Sequence, residues 1–96
     1  MNKFHIRLKK NEKYEIRVSK FNPQTEVLDI YLFEASFTGV YKDILEFRAH
    51  RTTFSVDLEF DEVTVTMYDL EGCEESFEFY HLITIKDLAT SGGLLS

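Results

Sequence analysis

Three histidines are the first residues in this sequence that could do acid–base or metal chemistry. His5 and His81 lie within alternating apolar runs, whereas His50 lies in His-Arg-Thr-Thr, a composition typical of a turn. No two of them have the short spacing of a local zinc motif, so a metal site would need ligands from distant parts of the chain. We therefore predict no metal site, and we expect a structural position at the edge of the core for His81.

A run of carboxylates around one glycine and the only cysteine is the second candidate. Residues 69–75 read Asp-Leu-Glu-Gly-Cys-Glu-Glu. The segment is too short to provide the spaced oxygen ligands of a calcium-binding loop. The neighbouring negative charge also disfavours the thiolate of Cys73, which is the nucleophilic form. We interpret the segment as an exposed hairpin turn and predict no cofactor.

Asp57 and Glu59 have the spacing of a catalytic carboxylate pair. Two residues apart on one strand face, their Cα atoms lie roughly 7 Å from each other. Any polar strand face produces this spacing, and the sequence contains no serine elbow, phosphate-binding loop or dinucleotide fingerprint to accompany it. A catalytic assignment needs several groups in defined roles, so we predict that the protein is not an enzyme and has no catalytic residues.

Charge is distributed unevenly along the chain. The net charge is −6, with +5 in residues 1–20 and −11 in the remaining residues. Small β-barrels bind single strands through basic grooves with stacking aromatic side chains. A nucleic-acid-binding alternative would therefore use the basic N-terminal residues and one tyrosine: Arg7, Lys9, Lys10, Lys13, Tyr14, Arg17 and Lys20. The acidic remainder of the chain would repel phosphate, so we rank this alternative second.

The acidic residues of the C-terminal half form the leading candidate for a binding surface. They are Asp57, Glu59, Asp61, Glu62, Asp69, Glu71, Glu74, Glu75 and Glu78. A surface of this kind suits docking onto a basic protein, because complementary charge speeds association and selects the partner. The same carboxylates could also serve only to keep a small β protein soluble.

Residues 54–86 contain the elements that position these carboxylates. Apolar side chains recur at every second residue in three runs separated by two polar breaks, which predicts a three-stranded antiparallel meander. The alternation predicts these inward side chains: Phe54, Val56, Leu58, Phe60, Val63, Val65, Met67, Phe77, Phe79, Ile83 and Ile85.

The N-terminal half contains further strand patterns. Alternation predicts strands at 4–8 and 14–18, and Asn22-Pro23-Gln24-Thr25 predicts a type I turn. Residues 27–33 are apolar on both faces except for Asp29, which is typical of a strand buried on two sides or of a position in a closed barrel. Residues 40–50 fit either a strand or a short helix, and periodicity alone does not choose between them.

The predicted fold is therefore all-β, with one short helix as an option. We expect one small antiparallel β-barrel, curled sheet or sandwich of six to seven strands, because 96 residues provide only one core. The domain is expected to span residues 1–88, followed by a flexible tail at 89–96. No run approaches the ~20 apolar residues of a membrane span, and a single cysteine fits a reducing compartment, so we predict a cytoplasmic protein with no membrane partner.

In size and acidic charge alone, the chain resembles the small inhibitors that phages and mobile elements make against nucleic-acid machinery, and the immunity proteins that block toxins. The resemblance implies a non-enzymatic protein-binding module that occludes a basic, nucleic-acid-handling surface of a partner protein. Besides the nucleic-acid binder above, a structural subunit that assembles through its strand edges is the other alternative. The oligomeric state is left open.

Overall fold

The computed structural model describes residues 8–88, which form six antiparallel strands in one sheet. Each strand pairs with the next along the chain, and the first also pairs with the last, so the sheet closes on itself in a ring. The strands are β1 Lys13–Asn22, β2 Val27–Tyr41, β3 Ile44–Ala49, β4 Thr52–Asp57, β5 Glu62–Tyr68 and β6 Glu74–Asp87. The predicted all-β fold with a C-terminal three-stranded meander is confirmed.

The strand alternative is the correct one for residues 40–50. The chain turns tightly at Lys42 and Asp43 and continues as β3, with Lys42 in the left-handed region at a φ of 55°. Leu45 and Phe47 are buried, whereas the intervening Glu46 is only half-buried. The alternation of a half-buried strand therefore determines the conformation of this segment.

Some predictions lie outside the described residues. Of the predicted first strand, only Leu8 is described; it packs against the core and belongs to no strand. The predicted tail at 89–96 also lies outside the described residues.

The core lies inside the ring and receives side chains from all six strands. Phe47 is fully buried. Its ring centroid lies 5.9 Å from that of Tyr14, in an edge-on contact, and 5.4 Å from that of Phe37, in a tilted contact. The Tyr14 hydroxyl accepts a hydrogen bond of 2.7 Å from the backbone N–H of Lys9, so the one polar atom of this ring is satisfied. The buried apolar residues are Tyr14, Ile16, Val18, Ala35, Phe37, Leu45, Phe47, Phe54, Val56, Val63, Val65, Leu82 and Ile85.

A β-bulge reverses the faces of β6. Arg17 of β1 pairs with Thr84, but the next residue, Val18, pairs with Leu82, so β6 has one extra residue between the two pairs. One extra residue moves every later side chain to the opposite face. Ile85 and Leu82 are therefore both buried, although their spacing is odd.

The predicted inward positions of Phe77, Phe79 and Ile83 are therefore wrong. Uninterrupted alternation from Ile85 places these three residues inside, but the bulge turns the first two outward. Their exposed fractions are 52% for Phe77, 59% for Phe79 and 41% for Ile83. Met67, at the end of β5, and Phe60, in the turn before it, were also predicted inside and are exposed as well.

Candidate functional site

The hairpin of β1 and β2 extends beyond the rest of the ring. β2 pairs with β3 only over Ser36–Tyr41, so its segment Val27–Ala35 has β1 on one side and no strand of residues 8–88 on the other. We call this unpaired side of Val27–Ala35 the free edge. β1 pairs with β6 only as far as Ser19, so residues 20–22 also extend past the β1–β6 pairing that closes the ring.

The outward side of this hairpin is apolar. Phe21 faces Leu28 across the two strands, Ser19 faces Ile30, and Arg17 faces Leu32. Phe21, Leu28, Ile30 and Leu32 are each more than half exposed. We call these four side chains the arm face. The sequence signal for this face was the apolar run 27–33. Its interpretation as a strand buried on two sides was wrong. Only the inward side chains of Tyr31 and Phe33 contact the aromatic cluster inside the ring, and the outward ones are exposed.

A second apolar surface lies on the outward side of β6. Phe77 and Phe79 stand next to each other on this strand, with ring centroids 5.3 Å apart and planes nearly perpendicular. Their cross-strand neighbours on β5 are Thr66 and Thr64, which are too small to cover them. We call Phe77, Phe79 and Ile83 the β6 face. Large exposed apolar patches are uncommon on monomeric proteins and mark interaction sites.

Carboxylates flank the β6 face at both ends. Glu74 and Glu75 precede Phe77 at the start of the strand, and Glu62 lies across from His81 at the far end. All three glutamates are exposed. The surface therefore combines an apolar centre with an acidic rim, which is the usual arrangement of a protein interface.

Glu78 belongs to a different environment from the other acidic residues. It lies on the inward side of β6, where its Oε1 accepts a hydrogen bond of 2.5 Å from the Tyr80 hydroxyl and lies 3.7 Å from the Lys20 ammonium. The hydrogen bond from Tyr80 and the positive charge of Lys20 lower the pKa of Glu78. Burial and the bond to Glu78 raise the pKa of Tyr80. Glu78 is thus occupied in joining β6 to β1 where their backbone pairing has ended.

Tyr80 also anchors the inward side of the β1–β2 hairpin. Its ring packs edge-on against Tyr31 at 5.4 Å and Phe33 at 5.5 Å, and Lys20 lies 5.0 Å from its centroid. Phe33 in turn contacts Phe54 at 5.0 Å. These contacts hold β6 and the β1–β2 hairpin together from inside and leave their outward faces open.

The remaining predicted acidic residues divide between two turns. Asp57, Glu59, Asp61 and Glu62 lie at the β4–β5 turn, and Asp69, Glu71, Glu74 and Glu75 lie at the β5–β6 turn. The seven residues of β5 separate the two turns by roughly 20 Å.

Two of these aspartates have local structural roles. Asp57 Oδ1 accepts hydrogen bonds from the backbone N–H groups of Glu59 and Phe60, and Asp69 Oδ1 accepts them from Glu71 and Cys73. Such bonds fix the shape of a turn. The sequence could not distinguish these two turn-forming aspartates from the other carboxylates of the predicted set.

The predicted nucleic-acid-binding residues that the structure describes do not form one exposed surface. Tyr14 is fully buried, so its ring is unavailable for stacking on a base. Lys20 pairs with Glu78, and Arg17 lies 4.0 Å from Glu15. Arg7 lies outside the described residues. The exposed residues that remain of the set are Lys9, Lys10 and Lys13, which lie at the start of β1 and in the turn before it.

Of the three histidines, His5 lies outside the described residues, and the other two lie in separate elements. His50 is exposed in a turn, and His81 is exposed on the outward side of β6, not at the edge of the core as predicted. Asp69, Glu71 and Cys73 have potential ligand atoms within 4.8 Å of one another. One Asp69 oxygen already accepts two backbone hydrogen bonds, so this exposed group is explained by the geometry of the turn.

An open cleft beside the β3–β4 turn was not foreseen from the sequence. It has a volume of about 340 Å³ and is lined by Arg48, His50, Arg51, Tyr68 and Asp69, among others. Within residues 8–88 neither arginine forms an ion pair at salt-bridge distance.

Comparison with known proteins gives no family for the chain. No protein-family model matches it, and no curated protein or solved structure is significantly similar to it. Within the part of the chain that the structure describes, no helix has the length and apolar composition needed to cross a bilayer. The apolar faces and the charges around them are therefore the basis for a functional hypothesis.

Proposed function

We propose that this protein is a non-enzymatic protein-binding module that docks through its β6 face. The observation that carries the proposal is the exposure of Phe77 and Phe79, side by side and outward, on a strand whose inward residues already supply the core. The partner presents an apolar groove edged by lysine and arginine. The module acts by covering a surface of its partner. This mechanism requires no catalytic residues.

The apolar centre provides the affinity. A phenylalanine side chain carries about 150–250 Å² of surface, so roughly 100 Å² of each of these two rings is open to solvent. At about 25 cal/mol per Å², burial of one ring is worth roughly 2–3 kcal/mol before the costs of association. Two adjacent aromatic side chains that fill one groove are a typical hot spot of an interface.

The acidic rim selects the partner. Residues 62–87, the β5–β6 hairpin, contain seven carboxylates and one lysine. A basic surface is attracted to this hairpin from a distance, and an acidic one is repelled. A protein that handles nucleic acid has a basic surface of this type. In our proposal the module occludes that surface, in the manner of a phage or mobile-element inhibitor or an immunity protein, in the cytoplasm.

The test of this proposal begins with affinity capture by the tagged protein from extracts of its native host, followed by mass spectrometry. The captured protein is then purified and its association with the module is measured. The rival function, direct nucleic-acid binding, predicts a salt-dependent gel shift of single-stranded or duplex oligonucleotides by the module alone. We expect no such shift.

Charge reversal at the β5–β6 turn is expected to slow association. In the variant with Glu71→Lys, Glu74→Lys and Glu75→Lys, the association rate with the captured partner should fall at least about tenfold at low salt, since electrostatic steering is lost. Its dependence on ionic strength should flatten. Stopped-flow or surface-binding kinetics at several salt concentrations provide the measurement.

A matched control reverses three exposed carboxylates elsewhere: Glu26→Lys, Glu34→Lys and Asp43→Lys. It changes the net charge by the same amount, so any general charge effect appears in both variants. If the two variants have equal association rates, the acidic rim does not steer the partner.

A further inference from the structure

We infer that two copies of this chain pair through the free edge of β2 and form a reversible antiparallel dimer. The inference goes beyond the proposed function and uses a different surface, since the β6 face stays open on each copy. It rests on the backbone of Val27–Ala35, on the side chains of that segment, and on the area that the pairing covers.

The free edge is long. Val27–Ala35 spans roughly 30 Å, and on its open side alternate backbone N–H and C=O groups have no strand partner within residues 8–88. Natural proteins protect such edges with prolines, lysines, bulges or very short strands. This segment contains no proline and no lysine, and the bulge in β2 lies beyond it, between Phe37 and Gly39. Its one inward-pointing charged residue is Asp29, which is half-buried.

The side chains of the segment permit pairing with a second copy. A two-fold axis at Tyr31 places Ile30 of one copy opposite Leu32 of the other, and Leu28 opposite Glu34. Asp29, whose Oδ2 accepts a hydrogen bond of 3.3 Å from Asn22, lies opposite an aromatic residue and not opposite another carboxylate. No like charges lie directly opposite each other, although each chain is acidic overall, and the central Ile30–Leu32 pairs bring apolar side chains together.

The area favours a second copy that dissociates on dilution. The four residues of the arm face each leave roughly 100 Å² open, and pairing covers part of that area together with the backbone edge. The two arm faces together expose roughly 800 Å², so the covered total stays below the roughly 1,000 Å² of a stable specific interface and lies in the range of weak, transient association. We therefore expect a dimer that is populated in the micromolar range and above.

Sedimentation equilibrium of the full chain over a wide range of concentrations tests the inference. The wild-type mass should rise from 11.3 kDa toward twice that value. Ile30→Lys, which places a charge in the middle of the edge, should stay monomeric. Val40→Lys is the matched control, because Val40 is exposed to a similar extent on the same strand but lies beyond the free edge, and it should dimerise like the wild type.

Hydrogen exchange of the wild type provides a readout that needs no variant. Alternate backbone amides of residues 27–35 should exchange more slowly at high concentration than at low concentration, while those of β5 stay unchanged. A Phe77→Asp, Phe79→Asp double variant should dimerise normally, which separates this inference from the proposed function.

Three results would overturn the dimer. If the measured mass equals that of one chain at every concentration, the edge is not a self-pairing surface. An edge covered by residues 1–7, or one that pairs only with a strand of another protein, would give that result. Dimerisation of Ile30→Lys with the wild-type constant would move the interface elsewhere. Exchange rates in residues 27–35 that do not depend on concentration would do the same.

Discussion

Replacing Phe47 with alanine is expected to lower the free energy of unfolding by about 3–5 kcal/mol, whereas Phe79→Ala should change it by no more than about 0.5 kcal/mol. Phe47 is fully buried between Tyr14 and Phe37, so its removal leaves a cavity in the core. Phe79 is 59% exposed, and water already surrounds much of its ring. Urea unfolding of the two variants measures both values.

The comparison is matched because both substitutions remove the same atoms from a β-strand. Phe77→Ala provides a second exposed position and should also be close to the wild type. A cost at Phe79 as large as that at Phe47 would mean that β6 keeps a single alternation, and that the bulge at Ile83 does not turn its phenylalanines outward.

Placing aspartate at Phe77 and Phe79 together is expected to weaken binding to the captured partner by at least about 100-fold. Truncation of one hot-spot residue costs about 2 kcal/mol or more, which is about 30-fold in affinity, and the charge adds the cost of desolvation. Both side chains are exposed, so the folded state should keep its stability. Isothermal titration calorimetry gives the affinity, and circular dichroism reports the fold.

Phe60→Asp is the control for this variant. Phe60 is 63% exposed but lies in the turn between β4 and β5, at the opposite end of β5 from Phe77. Wild-type affinity is expected for it. If Phe60→Asp reduces affinity as strongly as the double variant, then general loss of apolar surface, and not the β6 face, explains the effect.

The strands could be predicted from sequence because each has one buried face. Tyr14, Ile16 and Val18 alternate with polar residues, and the runs after Phe54 do the same, so period-two patterning defined β1, β4 and β5. For residues 40–50 the pattern allowed two answers, and burial of Leu45 and Phe47 decides between them. Ring closure depends on the pairing of β1 with β6, which no local pattern contains.

The candidate surface was hidden from the sequence for a specific reason. Phe77, Phe79, Ile83 and Ile85 all have odd numbers, so simple alternation assigns them to one buried face. A bulge inserts one residue without any signature residue such as glycine or proline, and the side chains on its two sides then face opposite ways. Similarly, Tyr14 was predicted to stack on a base, but it is fully buried. Its burial depends on the neighbouring strands, which the local sequence does not show.

The acidic surface was only partly foreseeable. Net charge and its position along the chain are sequence properties, and the excess of carboxylates on the β5–β6 hairpin follows from them. Which carboxylates are occupied depends on three-dimensional contacts: Asp57 and Asp69 bind turn amides, and Glu78 binds Tyr80 and Lys20. The sequence set therefore combined residues free for a partner with residues used by the fold.

Thiol accessibility along β6 tests the outward position of Phe77 and Phe79 most directly. In a Cys73→Ser background, which removes the exposed native thiol, single cysteines replace Phe77, Phe79, Leu82 and Ile85, and each variant is exposed to a thiol reagent under native conditions. The structure predicts rapid labelling at 77 and 79 and protection at 82 and 85. Protection at 77 and 79 with rapid labelling at 82 would contradict it, and the proposed docking surface would be lost.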